Sequence, residues 1–320
     1  MEEAIPSVGA VYNLVDARVS TWFINLLHHL GVDLTSTPPT RGLPTVDSPT
    51  PVLLAAITYI SIVLPGLSWI RASNAKPRLH EPFLLQALVV FHNLFCVCLS
   101  LYMCLGIAVR AFQLKYTLWG NPYDPNETTM AHYIYIFYMS KYIELMDTII
   151  MLLKCNLRQV TVLHVYHHMS VAVIWWIISH HAPGGDAYFS GVINSAVHVL
   201  MYTYYLLSAL FRSNEKARQK YLFWGRYLTQ LQMLQFIFNW IQASYCIKFQ
   251  APYPQFLYKV LFYYMISLLM LFANFYDLKV NNWNMVSMRV VLLPIDVACD
   301  LLDKGGDIFK SVSQELILSF

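Results

Sequence analysis

Residues 161–170 read TVLHVYHHMS and run without a break into VAVIWWII at 171–178. Three titratable rings, His164, His167 and His168, stand at i, i+3 and i+4 of an apolar run, which puts them on one face of a helix. If that helix lies in a membrane, ionisable groups in it are costly and face a protein-lined cavity rather than lipid.

Composition supports the membrane. Of 320 residues 57% are apolar and only 12% charged, and the mean hydropathy is +0.47. A water-soluble domain carries about twice that charged fraction, so too little polar surface remains to cover a soluble globule. A net charge of +3 is too small to argue for nucleic acid. The cysteines (96, 98, 104, 155, 246 and 299) form no CxxC pair, which speaks against a disulfide framework or a zinc site. The opening MEEAIPSVGA lacks the basic and apolar regions of a cleaved signal, so a first span is expected to direct targeting.

Spans of about 20 mostly apolar residues are expected at Val52–Ile70, Phe83–Val109, His132–Leu153, Val160–Ile178, Ala187–Phe211, Phe223–Tyr245 and Phe256–Phe275. The breaks hold NAKP, WGNPYDPN, HAPGGD, RSNEKARQK and APYP. The third and sixth spans are polar enough for a strict hydropathy window to drop them. Three alternate loops carry nine basic residues: Arg71, Lys76 and Arg78; Lys154 and Arg158; Arg212, Lys216, Arg218 and Lys220. The other loops carry Arg110, Lys115 and Lys248. The positive-inside rule then makes the first set cytosolic, the N-terminus lumenal and the C-terminus cytosolic. An Asn126-Glu127-Thr128 sequon agrees weakly. Residues 1–51 read as a lumenal segment in which Val19, Trp22, Phe23, Leu26, Leu27 and Leu30 share a helical face, suited to an interfacial helix. Residues 52–276 read as one membrane domain and 277–320 as a cytosolic tail.

Polar groups concentrate in spans three to six. Lys141, Glu144 and Asp147 lie along one side of span three. His164, His167 and His168 share a face of span four. Asn194, His198, Tyr202 and Tyr205 line span five, and Thr229, Gln232 and Gln235 span six. At about 1.5 Å rise per residue, each set lies roughly 10–20 Å from its own cytosolic end. Four helices thus bring their polar faces to one layer, which predicts a polar chamber open to the cytosol. Taken singly, a Tyr204 or a Gln235 is ordinary interhelical glue, and Lys141–Glu144 can be a self-neutralising pair. Three histidines facing a fourth are harder to explain by structure alone.

Four imidazoles admit two chemistries. HxxHH is one of the boxes of membrane di-iron oxidases, but such sites use several boxes. Here His28, His29, His180 and His181 fall on the lumenal side, where the last two cap a span; His80 is in a loop; His92 and His132 stand alone. A zinc site from His164, His168 and His198 is allowed by count only. The alternative is nucleophilic or acid–base work, with a neutral buried imidazole attacking a thioester and a carboxylate orienting its ring. None of the cysteines is expected beside a histidine in the polar layer. A non-catalytic seven-helix lipid-binding protein is a further reading, without an Asp-Arg-Tyr or Asn-Pro-x-x-Tyr sequence to support it as a receptor.

KYIELMDT (141–148), HVYHH (164–168), HVLMYTYY (198–205) preceded by Asn194, and TQLQMLQ (229–235) resemble, in order and spacing, the signature blocks of the ELO family, the fatty acid elongases of the endoplasmic reticulum. The resemblance runs from about residue 51 to 276. It implies an all-α membrane fold of seven transmembrane helices, six of them ringing a closed-ended acyl tunnel. It implies condensation of a long-chain acyl-CoA with malonyl-CoA to 3-ketoacyl-CoA, CO2 and CoA, by a ping-pong route through an acyl-imidazole. His167 would then be the nucleophile and His198 the second imidazole. His164 and His168 would tune His167, with Lys141, Glu144 and Asp147 supporting the network. Asn194, Tyr202, Tyr205, Thr229, Gln232 and Gln235 are candidates for positioning substrate. Lys154, Arg158, Arg212 and Arg226 are candidates for the CoA phosphates. No metal or other cofactor is implied. The expected partners are acyl-CoA, malonyl-CoA and membrane lipid, with a homodimer and contacts to other elongation-cycle enzymes left open and nucleic acid excluded. Three features depart from the family pattern: the 2–3 and 6–7 loops lack the cysteines many members pair there, no dilysine retrieval signal ends the chain, and the FWGR run before TQLQ is less basic than is usual.

Overall fold

The computed structural model describes residues 7–29, 31–32, 37–73, 75, 81–157 and 159–280. Among them the secondary structure is helical and no strand occurs. The helices are α1 (Val8–His29), α2 (Thr50–Ala72), α3 (Phe83–Gln113), α4 (Thr128–Leu153), α5 (Val162–His181), α6 (Ala187–Leu210), α7 (Glu215–Tyr221), α8 (Leu228–Lys248) and α9 (Gln255–Val280). Residues 1–275 form one compact unit, and only the end of α9 is described beyond it. Leu30, Lys76, Arg78, His80, Arg158 and Cys299, and the tail from residue 281, lie outside the described residues.

A helix covers each segment read as a span. By length and composition α2, α3, α5 and the 255–273 part of α9 are long and apolar enough to cross a membrane. Besides α4 and α8, α6 falls short, because Asn194, His198 and its tyrosines dilute its apolar content. The outer faces of α2 and α3 expose Leu54, Ile57, Leu64, Trp69, Phe91, Leu105 and Phe112, an apolar surface of the kind that lipid, not water, solvates.

Local sequence explains the ends. Thr161 caps α5 by accepting a hydrogen bond from the His164 N–H at 3.1 Å, which starts the helix one turn before the histidine box. Glu127 caps α4 through the Met130 N–H and accepts two hydrogen bonds from Arg110 at 3.0 and 2.6 Å. Those guanidinium hydrogen bonds hold its carboxyl below the ordinary range. The expected sixth span begins with a 3-10 turn over Phe223–Tyr227, and its α-helix starts only at Leu228. The chain there runs against α6 so closely that a Cβ on Gly225 would sit 2.1 Å from the Tyr204 ring. On α1, Phe23 and Leu27 are buried, with Phe23 edge-on to Trp176, while Trp22 and Leu26 are exposed.

His180 does more than cap α5. It is 2% exposed, its Nδ1 meets the Val46 carbonyl at 2.8 Å and its Nε2 meets Arg41 Nη2 at 2.9 Å. Thr40 donates to the Ser179 carbonyl. Together they strap residues 40–46 across the end of α5. The α5–α6 turn is held by Asp186, whose carboxylate accepts from the Gly120 and Asn121 N–H groups, the Asn121 amide and the Tyr258 hydroxyl, each at 2.7 or 2.8 Å. Gly185 makes that turn possible: its φ is +49°, and a Cβ would lie 2.9 Å from the Pro122 carbonyl oxygen and 3.0 Å from that of Asn121.

Gly185→Ala should therefore cost about 1–3 kcal/mol, seen as a lower thermal midpoint of the detergent-purified protein. Gly9→Ala, on α1 with nothing within 4 Å of the added methyl, should leave the midpoint unchanged or slightly raised.

Candidate active site

Helix α4 carries the charged core. Lys141, Glu144 and Asp147 are 1%, 3% and 9% exposed, a burial that only pairing makes tolerable. Lys141 Nζ donates to Glu144 Oε1 at 2.6 Å and to Asn194 Oδ1 at 3.3 Å, and lies 4.0 Å from the centre of the Phe137 ring. Ser140 donates to the same Glu144 oxygen at 3.0 Å. His198 Nδ1 stands 3.5 Å from it, and the Asn194 amide nitrogen lies 3.4 Å from His198 Nε2. One carboxylate on α4 thus orients one imidazole on α6, with Asn194 touching both the lysine and the ring.

One turn along α4, Asp147 is held by His92 Nε2 at 2.7 Å and by the Tyr202 hydroxyl at 2.7 Å. This corrects two expectations. His92 does not stand alone but joins the polar layer from α3. Cys96, one turn on, has its sulfur 3.7 Å from His92 Nε2, so a cysteine does lie beside a histidine there. The i, i+4 spacing of His92 and Cys96 puts the two on one face of α3; what the sequence did not show is that this face meets Asp147. Tyr205 packs edge-on to Tyr202.

The histidine box divides its work. His164 Nε2 meets Thr148 Oγ1 at 2.9 Å, and that hydroxyl meets Tyr59 at 2.7 Å. His168 is buried, its ring 4.4 Å from that of His164 and its Nδ1 without a partner among the described residues. His167 Nδ1 meets the Tyr264 hydroxyl of α9 at 3.0 Å. Among the described residues no three His, Cys, Asp or Glu side chains converge as a metal-binding group.

A cavity of about 70 Å3 runs from His167, Asn194 and Gln235 along α5, α6, α8 and α9 to Asp186 and Tyr253. Of the box histidines and His198, only His167 lines it. Its walls are mostly apolar, with Ser190, Asn239 and Gln242 as a polar strip toward the far end. Asn239 and Gln242 continue the Gln235 face at i+4 and i+7, a spacing legible in QFIFNWIQ.

Other candidate residues stand apart. Thr229 is half-buried with no hydrogen bond to this network, and Gln232 reaches only the Met201 sulfur at 3.4 Å. Arg226 is exposed and stacks over Tyr227. Lys154 and Arg212 converge instead on Glu81, at 3.2 and 2.6 Å, an acidic partner absent from the sequence reading. Arg158 lies outside the described residues.

These features define a polytopic helical membrane protein with a histidine-rich polar centre opening onto an apolar cavity. Residues 44–280 match the model of the ELO (GNS1/SUR4) family, and the chain belongs to that family. It is 43% identical over 224 residues to fatty acid elongase 6 of Leishmania major, covering 68% of this chain and 58% of that protein. It is 34% identical over 270 residues to human very long chain fatty acid elongase 5, covering 83% and 84%. To the Bos taurus protein of the same name it is 36% identical over 277 residues, covering 86% and 81%.

The buried charge pair makes a measurable demand. Lys141→Met strands Glu144 as an uncompensated buried carboxylate and should cost about 3–5 kcal/mol. Lys141→Met/Glu144→Leu should recover part of that loss. Thermal unfolding of the two variants, compared with Glu144→Leu alone, reads the coupling.

Proposed function

We propose that this chain condenses a long-chain acyl-CoA with malonyl-CoA, giving 3-ketoacyl-CoA, CO2 and CoA, with His167 as the nucleophile. One observation carries the reading: of the five imidazoles in the polar layer, His167 is the one that faces the cavity. The acyl chain would lie along the apolar seam between α5 and α9, in a tunnel closed at the Asp186 end. At about 70 Å3 the seam is far narrower than the 300–1,000 Å3 of open ligand sites, so the chain has to spread it on entry.

The steps balance without a metal or redox partner. Neutral His167 attacks the thioester carbonyl; the N–C bond forms, the C–S bond breaks, and CoA leaves as a thiolate that takes a proton from water. The acyl group remains on a cationic imidazole. Malonyl-CoA then loses CO2 and becomes an enolate, whose carbon attacks the acyl carbon. The C–N bond breaks and neutral His167 is restored. A dry cavity protects the enolate from protonation. Asn194 and Gln235, which line the cavity near His167, are assigned to the thioester and malonyl oxygens. Tyr202 is committed to Asp147 and is assigned to orientation, with Tyr205 behind it. His198, anchored by Glu144 and Asn194, is assigned as the second imidazole beside the reacting carbon. His164 and His168 tune the centre. Thr229 and Gln232 are assigned to the mouth of the cavity.

Lys154 and Arg212, which would have to turn from Glu81 to reach them, are assigned with Arg158 and Arg226 to the CoA phosphates. The basic loops that carry them support a cytosolic mouth and a lumenal N-terminus, and residence in the endoplasmic reticulum membrane is assigned from the family resemblance.

Purified protein given acyl-CoA and malonyl-CoA should release CoA and CO2 and form the 3-keto product by mass. His167→Ala should lower turnover by more than about a hundredfold, with thermal stability retained. Turnover equal to wild type in that variant contradicts the assignment.

A further inference from the structure

His167 is fixed by residues outside the histidine box and outside the other polar blocks. Its Nδ1 lies 3.0 Å from the Tyr264 hydroxyl. Tyr264 is 8% exposed and comes from α9, 97 residues along the chain. Ser170, one turn beyond the box, lies 3.1 Å from the same hydroxyl and 2.6 Å from the Tyr166 carbonyl. His167 Nε2 has no hydrogen-bond partner among the described residues, and its ring lines the cavity.

The direction of these hydrogen bonds follows from counting protons. A hydroxyl carries one. Ser170 is the donor toward the Tyr264 oxygen, sharing its proton between it and the Tyr166 carbonyl. The Tyr264 hydroxyl in turn donates to the His167 carbonyl at 3.4 Å. With its own proton so used, the Tyr264 oxygen presents a lone pair to His167 Nδ1, and Nδ1 carries the proton. The reverse arrangement sends the Tyr264 proton to Nδ1, leaves the His167 carbonyl without that donor, and aims an Nε2–H at a mostly apolar cavity where it has no acceptor among the described residues. The first arrangement satisfies more groups, and buried polar groups are satisfied as a rule.

We infer that Tyr264, backed by Ser170, is a positioning residue that fixes His167 in the tautomer with its proton on Nδ1, so that the Nε2 lone pair faces the substrate. The inference rests on the reading of His167 as nucleophile and adds what makes it one. The other imidazoles are engaged differently: His164 uses Nε2 on Thr148, and His198 has Nδ1 toward Glu144 and Nε2 beside Asn194. When Nε2 takes the acyl group the ring becomes cationic, and the Nδ1–H strengthens its hydrogen bond to the phenol oxygen. No proton leaves Nδ1, so the acyl group stays on a good leaving group until the enolate arrives.

The test uses Tyr264→Phe, which removes only the hydroxyl, together with Ser170→Ala and the double variant. Acyl-CoA is given without malonyl-CoA, and the first-turnover release of free CoA is timed; steady-state kcat and KM follow with both substrates. Tyr264→Phe should slow CoA release and kcat by about ten- to a hundredfold, with both KM values within about twofold of wild type. Ser170→Ala should slow the same step by about threefold or more, because Tyr264 loses the hydroxyl that donates to its oxygen and holds it in place. The double variant should be no slower than Tyr264→Phe, since a relay already cut cannot be cut again. A wild-type rate of CoA release in either single variant, a change confined to KM, or additive losses in the double variant overturns the inference. If Tyr264→Phe does not fold, Ser170→Ala decides by the same rate. Should the wild-type protein itself release no CoA from acyl-CoA, the elongase reading fails instead.

Discussion

A cation and a carboxylate held 2.6 Å apart in the interior, Lys141 and Glu144, set the terms for everything around them. Neither can face lipid, and each needs more partners than the other supplies. Helix α6 therefore brings Asn194 and His198 to them. One turn along, Asp147 makes the same demand and draws in His92 from α3 and Tyr202 from α6. The extensive packing of α3 on α6 thus brings together the helices that answer α4. In an apolar medium such a network specifies one arrangement, because any slip leaves a charge unpaired.

Around that fixed block the histidines differ by what occupies their nitrogens. His164 and His198 are committed to protein partners, and His168 is enclosed. His167 turns one nitrogen to Tyr264 and leaves the other toward the cavity. Four similar side chains thereby become a graded set, three that hold geometry and one that can react. The far end of the cavity is built as carefully: Asp186 gathers backbone and tyrosine donors, and His180 straps residues 40–46 over α5. Both lie at the end of α5 remote from the histidine box.

Much of this was legible in the sequence because helical spacing repeats. KYIELMDT and HVYHH show their faces directly, and the break residues separate one helix from the next. What was not legible came from pairs distant in sequence with no periodic signal. His92 looks like an isolated polar residue until α3 lies against α4. Tyr264 sits in FYYMISLLM, where one tyrosine among several gives no hint that it meets His167. Glu81 neutralises cations that a loop-by-loop charge count treats as free. The expected start of the sixth span also shifts, because Phe223–Tyr227 is a 3-10 turn lying close against Tyr204. The fifth expected span is α6, which falls short of a strict hydropathy threshold, since the polar side chains that dilute it are those the centre requires.

The central claim is that one ring nitrogen is left open to substrate, and the most direct measurement is to locate the acyl group itself. The protein would be quenched in acid after brief exposure to a long-chain acyl-CoA without malonyl-CoA, digested, and mapped by mass. The account predicts an acyl mass on the peptide bearing the histidine box, with fragmentation assigning it to His167. An acyl group found instead on His198 or on a cysteine would contradict it.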